Sequence, residues 1–204
     1  SMGIRVCGNY PVSGNISIEL SPAKPAEFTL ALRIPEWSKT TTAKLISGTD
    51  TLKLSLDNIS AGEYAKVERK WKKGDRIELS LDLTPHLLEL NGHQAIVRGP
   101  IVLARDSRFN DGFVDECVVI QASKDGSVTL TPAEDNDFAW MSFTAPMIAG
   151  ADLEGNGKPR QIHLCDFASA GNTWDKSTRY KVWLPKTLNV MKGEYRAYND
   201  APQD

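Results

Sequence analysis

The densest groups in this chain that could do chemistry are carboxylates. Asp111, Asp115 and Glu116 crowd one segment, and Glu134, Asp135 and Asp137 another. Two carboxyl groups about 5 to 9.5 Å apart can cleave a glycosidic bond by general acid and base catalysis, and a dense acidic cluster can hold calcium. Neither cluster has the D-x-D-x-D-G spacing followed by glutamate that marks a calcium loop, so both read as solvated loops. His86, His93 and His163 cannot be ordered with a serine and an aspartate into a triad. Cys7, Cys117 and Cys165 are scattered, with no CxxC or CxxH spacing for zinc or a redox pair. Cys117 and Cys165 sit among apolar residues, as small buried hydrophobes do. No catalytic residue, metal ligand or cofactor is therefore assigned.

The tryptophans are the other candidates. Trp37, Trp140 and Trp174 fall at strand ends or in loops, where an exposed indole can stack on the apolar C–H face of a sugar. Against carbohydrate binding stands the plainer reading that they plug the ends of a β-sandwich or pack on a neighbouring domain. Trp71 and Trp183 lie inside alternating segments and read as packing residues.

The elements that would carry these residues are strands, because apolar residues recur at every second position and a half-buried strand must alternate. Ile16, Ile18 and Leu20 form one such row, and Phe28, Leu30, Leu32 and Ile34 a second; Pro22 and Pro25 between them suggest a hairpin-like joint. Ala65, Val67, Arg69 and Trp71 lead into Lys73-Gly74-Asp75, and Ile77, Leu79 and Leu81 follow, the pattern of a hairpin. Ala95 to Ala104 reads as one long strand bent at Arg98-Gly99-Pro100 that closes a first core. Further strands are predicted at 116–121, 127–131, 139–143, 160–165 and 179–184, with one helical turn at 84–90. Short strands at such spacing predict an all-β chain of two β-sandwich domains in tandem, jelly-roll-like or Ig-like. The polar, turn-rich stretch 105–112 marks the boundary, giving domains 4–105 and 106–190 and a polar tail, 191–204. Ser1, Met2 and Gly3 read as an expression remnant outside the fold, and Ile4 begins inside a strand, as in a piece cut from a longer protein.

Of the 204 residues, 41% are hydrophobic and 25% charged, which places the chain among folding globular proteins and not disordered ones. Up to residue 105 there are 14 basic against 11 acidic residues, and beyond it 10 against 15. Neither half is a nucleic-acid polyelectrolyte. The cluster Arg69, Lys70, Lys72, Lys73 and Arg76 reads as a solvated turn. No apolar run approaches a membrane span, and no nucleic-acid or membrane partner is expected.

Several short blocks carry a resemblance. They are Tyr10-Pro11-Val12-Ser13-Gly14-Asn15, Leu30 to Ser38, Arg69-Lys70-Trp71-Lys72-Lys73-Gly74-Asp75 and Val97-Arg98-Gly99-Pro100-Ile101-Val102. Asp166 to Trp174 and Tyr180-Lys181-Val182-Trp183-Leu184-Pro185 follow near the end. In this order they resemble the region after the catalytic barrel in glycoside hydrolase family 127, typified by bacterial β-L-arabinofuranosidases and formerly a domain of unknown function. The resemblance implies a non-catalytic C-terminal β-sandwich module whose partner is a missing N-terminal α/α barrel holding the catalytic cysteine, zinc ligands and acidic partner. The adjacent-cysteine motif of that family is not in this sequence, so no catalytic or metal residue is carried over. It also implies a bacterial enzyme of the periplasm or cell surface acting on plant-type, arabinose-containing glycans. A carbohydrate-binding module is the alternative, and an independent enzyme using the acidic loops a third.

Overall fold

The computed structural model describes residues 1–56, 59–152, 154 and 156–186. The chain divides into two compact units, Ser1–Leu83 and Thr84–Asp204, and the all-β expectation is borne out: strands dominate both, and the one helical element among the described residues is a 3₁₀ turn, Ser107–Phe109.

In the first unit, β1 (Met2–Gly8), β2 (Asn15–Pro22), β4 (Thr42–Ser47), β5 (Asp50–Leu54) and β7 (Arg76–Ser80) form one antiparallel sheet in the order β1-β2-β7-β4-β5. β3 (Ala26–Arg33) and β6 (Tyr64–Trp71) pair as a second, two-stranded sheet. The apolar faces of both enclose one core, with Leu20, Ile77 and Trp71 fully buried. Trp71 is a core residue, as expected, and its indole N–H donates to the Phe28 carbonyl at 2.9 Å. Met2 and Gly3 lie inside β1, opposite Pro22 and Ser21, so residues read as a remnant take part in the fold.

Two hairpins expected from the sequence are crossings between sheets. β2 pairs with β1 and β7, whereas β3 pairs with β6, so the Pro22–Pro25 joint carries the chain from one layer to the other. The Lys73-Gly74-Asp75 turn does the same for β6 and β7. Its backbone bonds to β2, Gly74 N–H donating to the Leu20 carbonyl and Leu20 N–H to that of Asp75. Asp75 is buried and accepts from Lys72 N–H and the Ser47 hydroxyl. A turn signal records that the chain reverses; which strands then pair is decided by where apolar faces find cover. Gly14 is required by close approach, since a Cβ there would stand 2.1 Å from the Leu81 carbonyl oxygen.

In the second unit, β8 (Pro85–Leu90), β9 (His93–Arg98), β10 (Ile101–Asp106), β11 (Val118–Ile120), β12 (Thr131–Pro132), β13 (Ser142–Ala149), β14 (Lys158–Asp166), β15 (Tyr180–Lys181) and β16 (Leu184–Pro185) join one antiparallel sheet. Within residues 84–90, read as a helical turn, Pro85–Leu90 are strand β8. The stretch 95–104 is a hairpin and not one bent strand: Ile101 lies opposite Arg98 and Val102 opposite Val97, with Gly99 at φ 57 in the turn. It serves the core of this unit, not the first.

The sheet's main path runs β11-β13-β14-β10-β9-β16, yet Val118 and Ile120 near one end share a core with Ile96 and Leu184 near the other. Strands stand about 4.8 Å apart, so a flat sheet would separate these residues widely; this one curls until its ends meet. Val128 N–H bonds the Pro85 carbonyl, Leu87 N–H that of Gly126, and the buried Gln94 amide accepts from Ile120 N–H. The first unit is thus a sandwich and the second a nearly closed curved sheet.

The division between Leu83 and Thr84 comes ahead of the 105–112 stretch that the sequence suggested. That stretch is polar because it carries buried ion pairs, among them Arg105 and Asp106. The 191–204 tail lies outside the described residues.

Candidate functional site

One end of the second unit gathers the chemistry. β10 ends at Asp106, which caps the 3₁₀ turn by accepting from Arg108 N–H at 2.9 Å. The same carboxylate takes the Arg108 guanidinium in a bidentate pair, Nε at 2.9 Å and Nη2 at 2.7 Å, and Gly171 N–H at 2.9 Å. Burial pushes the Asp106 carboxyl up, but the Arg108 pair and the backbone donors outweigh it, leaving it below its ordinary value of 3.8. Arg108 is raised by the same pairing, and its guanidinium lies 3.9 Å over the Phe138 ring.

β14 ends at Asp166, also buried, which accepts from Met141 N–H, Ser169 N–H and the Ser169 hydroxyl. Ser169 Oγ in turn accepts from Trp140 N–H at 2.9 Å. Asn172 links the parts, its amide N–H₂ donating to the Phe138 carbonyl and its oxygen accepting from Arg108 Nη1. The loop before β13 and the loop after β14 are therefore stitched together over two buried carboxylates.

These loops hold aromatic rings outward. Trp174 is 92% exposed at φ 54 and Trp140 56% exposed, while Phe167 and Tyr180, also exposed, sit 6.1 Å apart. Two of the three tryptophans singled out in the sequence thus sit on joined loops of one unit. The third, Trp37, belongs to the first unit, where it is half-buried against the core and stacked on Tyr10 at 6.5 Å. The sequence does not single out Phe167 and Tyr180 as binding residues, because a lone aromatic beside an aspartate or an arginine carries no spacing signal.

The acidic segment at 111–116 is not the solvated loop the sequence suggested. Arg105, 1% exposed, stands 3.5 Å from Asp111 and 3.2 Å from Glu116. Arg160 pairs with Glu116 at 3.5 Å and also bonds the Asp111 carbonyl. His163 N–H donates to Asp111 at 2.6 Å, and its ring stacks on Phe109. These carboxylates face a buried guanidinium, an arrangement that ties the 107–117 loop to β14. Glu134, Asp135 and Asp137 are exposed. Cys165 is buried and its thiol is pushed up to about 12, chiefly by desolvation, which removes thiolate chemistry at neutral pH. Among the described residues, no group of His, Cys, Asp and Glu is arranged to hold a metal ion, and no helix is long and apolar enough to cross a membrane.

Residues 1–83 match the family model described as Beta-L-arabinofuranosidase, GH127 middle domain. No curated protein matches the chain. A solved structure described as a glycoside hydrolase is 25% identical, with a TM-score of 0.68 over 90% of this chain and 32% of that one. A GH127 beta-L-arabinofuranosidase from Geobacillus stearothermophilus T6 is 21% identical, TM-score 0.69, over 91% of this chain and 30% of that one. A further GH127 beta-arabinofuranosidase is 20% identical, TM-score 0.62, over 89% and 31%; these two bear on the fold alone. The family 127 resemblance is borne out, and the part of the chain that the family model matches, residues 1–83, is similar to that family's middle domain. The chain spans about a third of the length of the solved structures it matches.

Proposed function

We propose that this chain is a non-catalytic β module of a bacterial glycoside hydrolase acting on plant-type, arabinose-containing glycans, and that it buttresses an α/α catalytic barrel. The observation that carries the reading is the match of the whole first unit to a hydrolase middle domain, within a chain that spans only a third of similar enzymes. The commitment of Asp111 and Glu116 to Arg105 and the burial of Cys165 support inactivity of the isolated chain. The same reading places the parent enzyme in the periplasm or at the cell surface. The purified chain is expected to hydrolyse aryl arabinosides and other aryl glycosides no faster than buffer. Turnover abolished by Asp111→Ala or Glu116→Ala would overturn it.

A second reading, carbohydrate binding by the second unit, is favoured by the outward indoles of Trp140 and Trp174 on loops joined by hydrogen bonds of Ser169 and Asn172. Exposed aromatic faces stack on sugars at little conformational cost when their loops are rigid. Affinity electrophoresis in plant polysaccharides tests it: retardation lost in Trp140→Ala and Trp174→Ala but kept in Trp37→Ala supports it, and no retardation of the parent chain removes it.

A further inference from the structure

The sequence holds two Asn-Gly pairs, Asn91-Gly92 and Asn156-Gly157. In such a pair the glycine nitrogen, uncrowded by a side chain, is able to attack the asparagine side-chain carbonyl carbon and displace ammonia. The structure puts the two pairs in opposite surroundings.

Asn91 and Gly92 are the exposed two-residue tip of the β8–β9 hairpin, with Leu90 opposite His93. Both have positive φ, 49 and 76, the mark of a type I′ turn. Among the described residues no hydrogen bond holds the Asn91 side chain or the Gly92 N–H. The peptide unit between them is held by the His93 ring, whose Nδ1 lies 3.0 Å from the Asn91 carbonyl oxygen. A carbonyl oxygen only accepts, so Nδ1 carries the proton in this contact.

In a type I′ turn the first central residue has ψ near about 30°, which turns the following nitrogen away from its side chain. Ring closure needs ψ near about −120°, the value of the same position in a type II′ turn. The two turns differ by a flip of one peptide unit, and the hairpin arms stay where they are. That flip carries the Asn91 carbonyl to the other face and breaks its bond to His93.

We infer that Asn91-Gly92 is a self-modifying site, converted to aspartate or isoaspartate through a peptide flip on which the His93 ring is the latch. The Gly92 nitrogen forms a bond to the Asn91 side-chain carbonyl carbon, the bond from that carbon to the amide nitrogen breaks, and the Gly92 proton leaves with it as ammonia. Water then opens the resulting succinimide at either carbonyl. Opening on one side gives aspartate; opening on the other puts a methylene into the main chain between β8 and β9. Asn156-Gly157 is pinned instead. The Asn156 side-chain amide donates to Asp152 and to Glu154, each at 3.2 Å, and its carbonyl accepts from Asp152 N–H at 3.0 Å. Gly157 is packed so closely that a Cβ there would stand 2.4 Å from the Ala149 carbonyl oxygen.

The test incubates the folded chain in mildly alkaline buffer beside a synthetic peptide of residues 88–94, with peptide mass mapping and fragmentation as the readout. A gain of about 1 Da is expected at Asn91, as a mixture of aspartyl and isoaspartyl products, with Asn156 unchanged over the same period. Asn91→Ala should abolish the gain. His93→Phe keeps a ring but has no donor, and should speed conversion about fivefold, the effect of one net hydrogen bond on the flip. Should that variant fail to fold, His93→Ala serves in its place. No gain at Asn91 after about ten times the period in which the free peptide converts overturns the site, as does equal conversion of Asn91 and Asn156. Equal rates with and without the His93 donor overturn the latch.

Discussion

At the scale of single residues the second unit depends on a few buried charges. Asp106→Ala would strand the Arg108 guanidinium and Gly171 N–H inside the loop end. Breaking such a pair from one side costs about 3 kcal/mol, to be read as a lowered midpoint in urea. The pH dependence has a definite sign. Because the folded Asp106 carboxyl is depressed below 3.8, its stabilisation is full above the ordinary carboxylate range and is lost as pH falls through the depressed value. Acid titration of wild type should therefore show a loss of stability below about pH 4 that is reduced in Asp106→Asn. Cys165 runs the other way. A thiol held neutral up to about 12 adds stability below its ordinary value of 9.0, which is lost as pH rises from there toward 12. In thiol titration of the native protein the half-buried Cys7 should react first, with the buried Cys117 and Cys165 reacting only on unfolding.

At the scale of elements, Gln94 is one of the groups that close the curl of the second sheet. Its amide donates to Glu89 at 2.8 Å and accepts from the buried Ile120 N–H at 3.0 Å, joining β9 to β11. Gln94→Leu keeps the volume but leaves that N–H unpaired, at a cost of about 2 kcal/mol; equilibrium unfolding that matched wild type would show that the closure does not depend on Gln94. Trp71 plays the corresponding part in the first unit, fully buried and bonded to the Phe28 carbonyl. Trp71→Ala should cost about 3 to 5 kcal/mol, measurable in the same way. The alternation that identifies these strands was legible in the sequence, in Ile16-Ile18-Leu20 and Phe28-Leu30-Leu32 above all. Their partners were not, because period two says which face is apolar and nothing about which strand lies alongside.

At the scale of the whole molecule, each unit has its own core. Residues 1–83 expressed alone are expected to melt cooperatively, and a broad, non-cooperative loss of strand signal would refute an autonomous first unit. The sequence by itself determined the all-β class, the burial of Trp71, Cys117 and Cys165, and the family 127 resemblance, since these follow from local alternation and from residues contiguous in the chain. Only the tertiary structure decided the division after Leu83, the two crossings read as hairpins, the strand at 85–90 and the ion pairs of Asp111 and Glu116. Only it joined the loops of Trp140 and Trp174 while leaving Trp37 stacked on Tyr10. The physical reason is common to all of these. A carboxylate is solvated or buried, and a turn is a hairpin or a crossing, according to the groups that face it in space, and those groups come from distant parts of the chain.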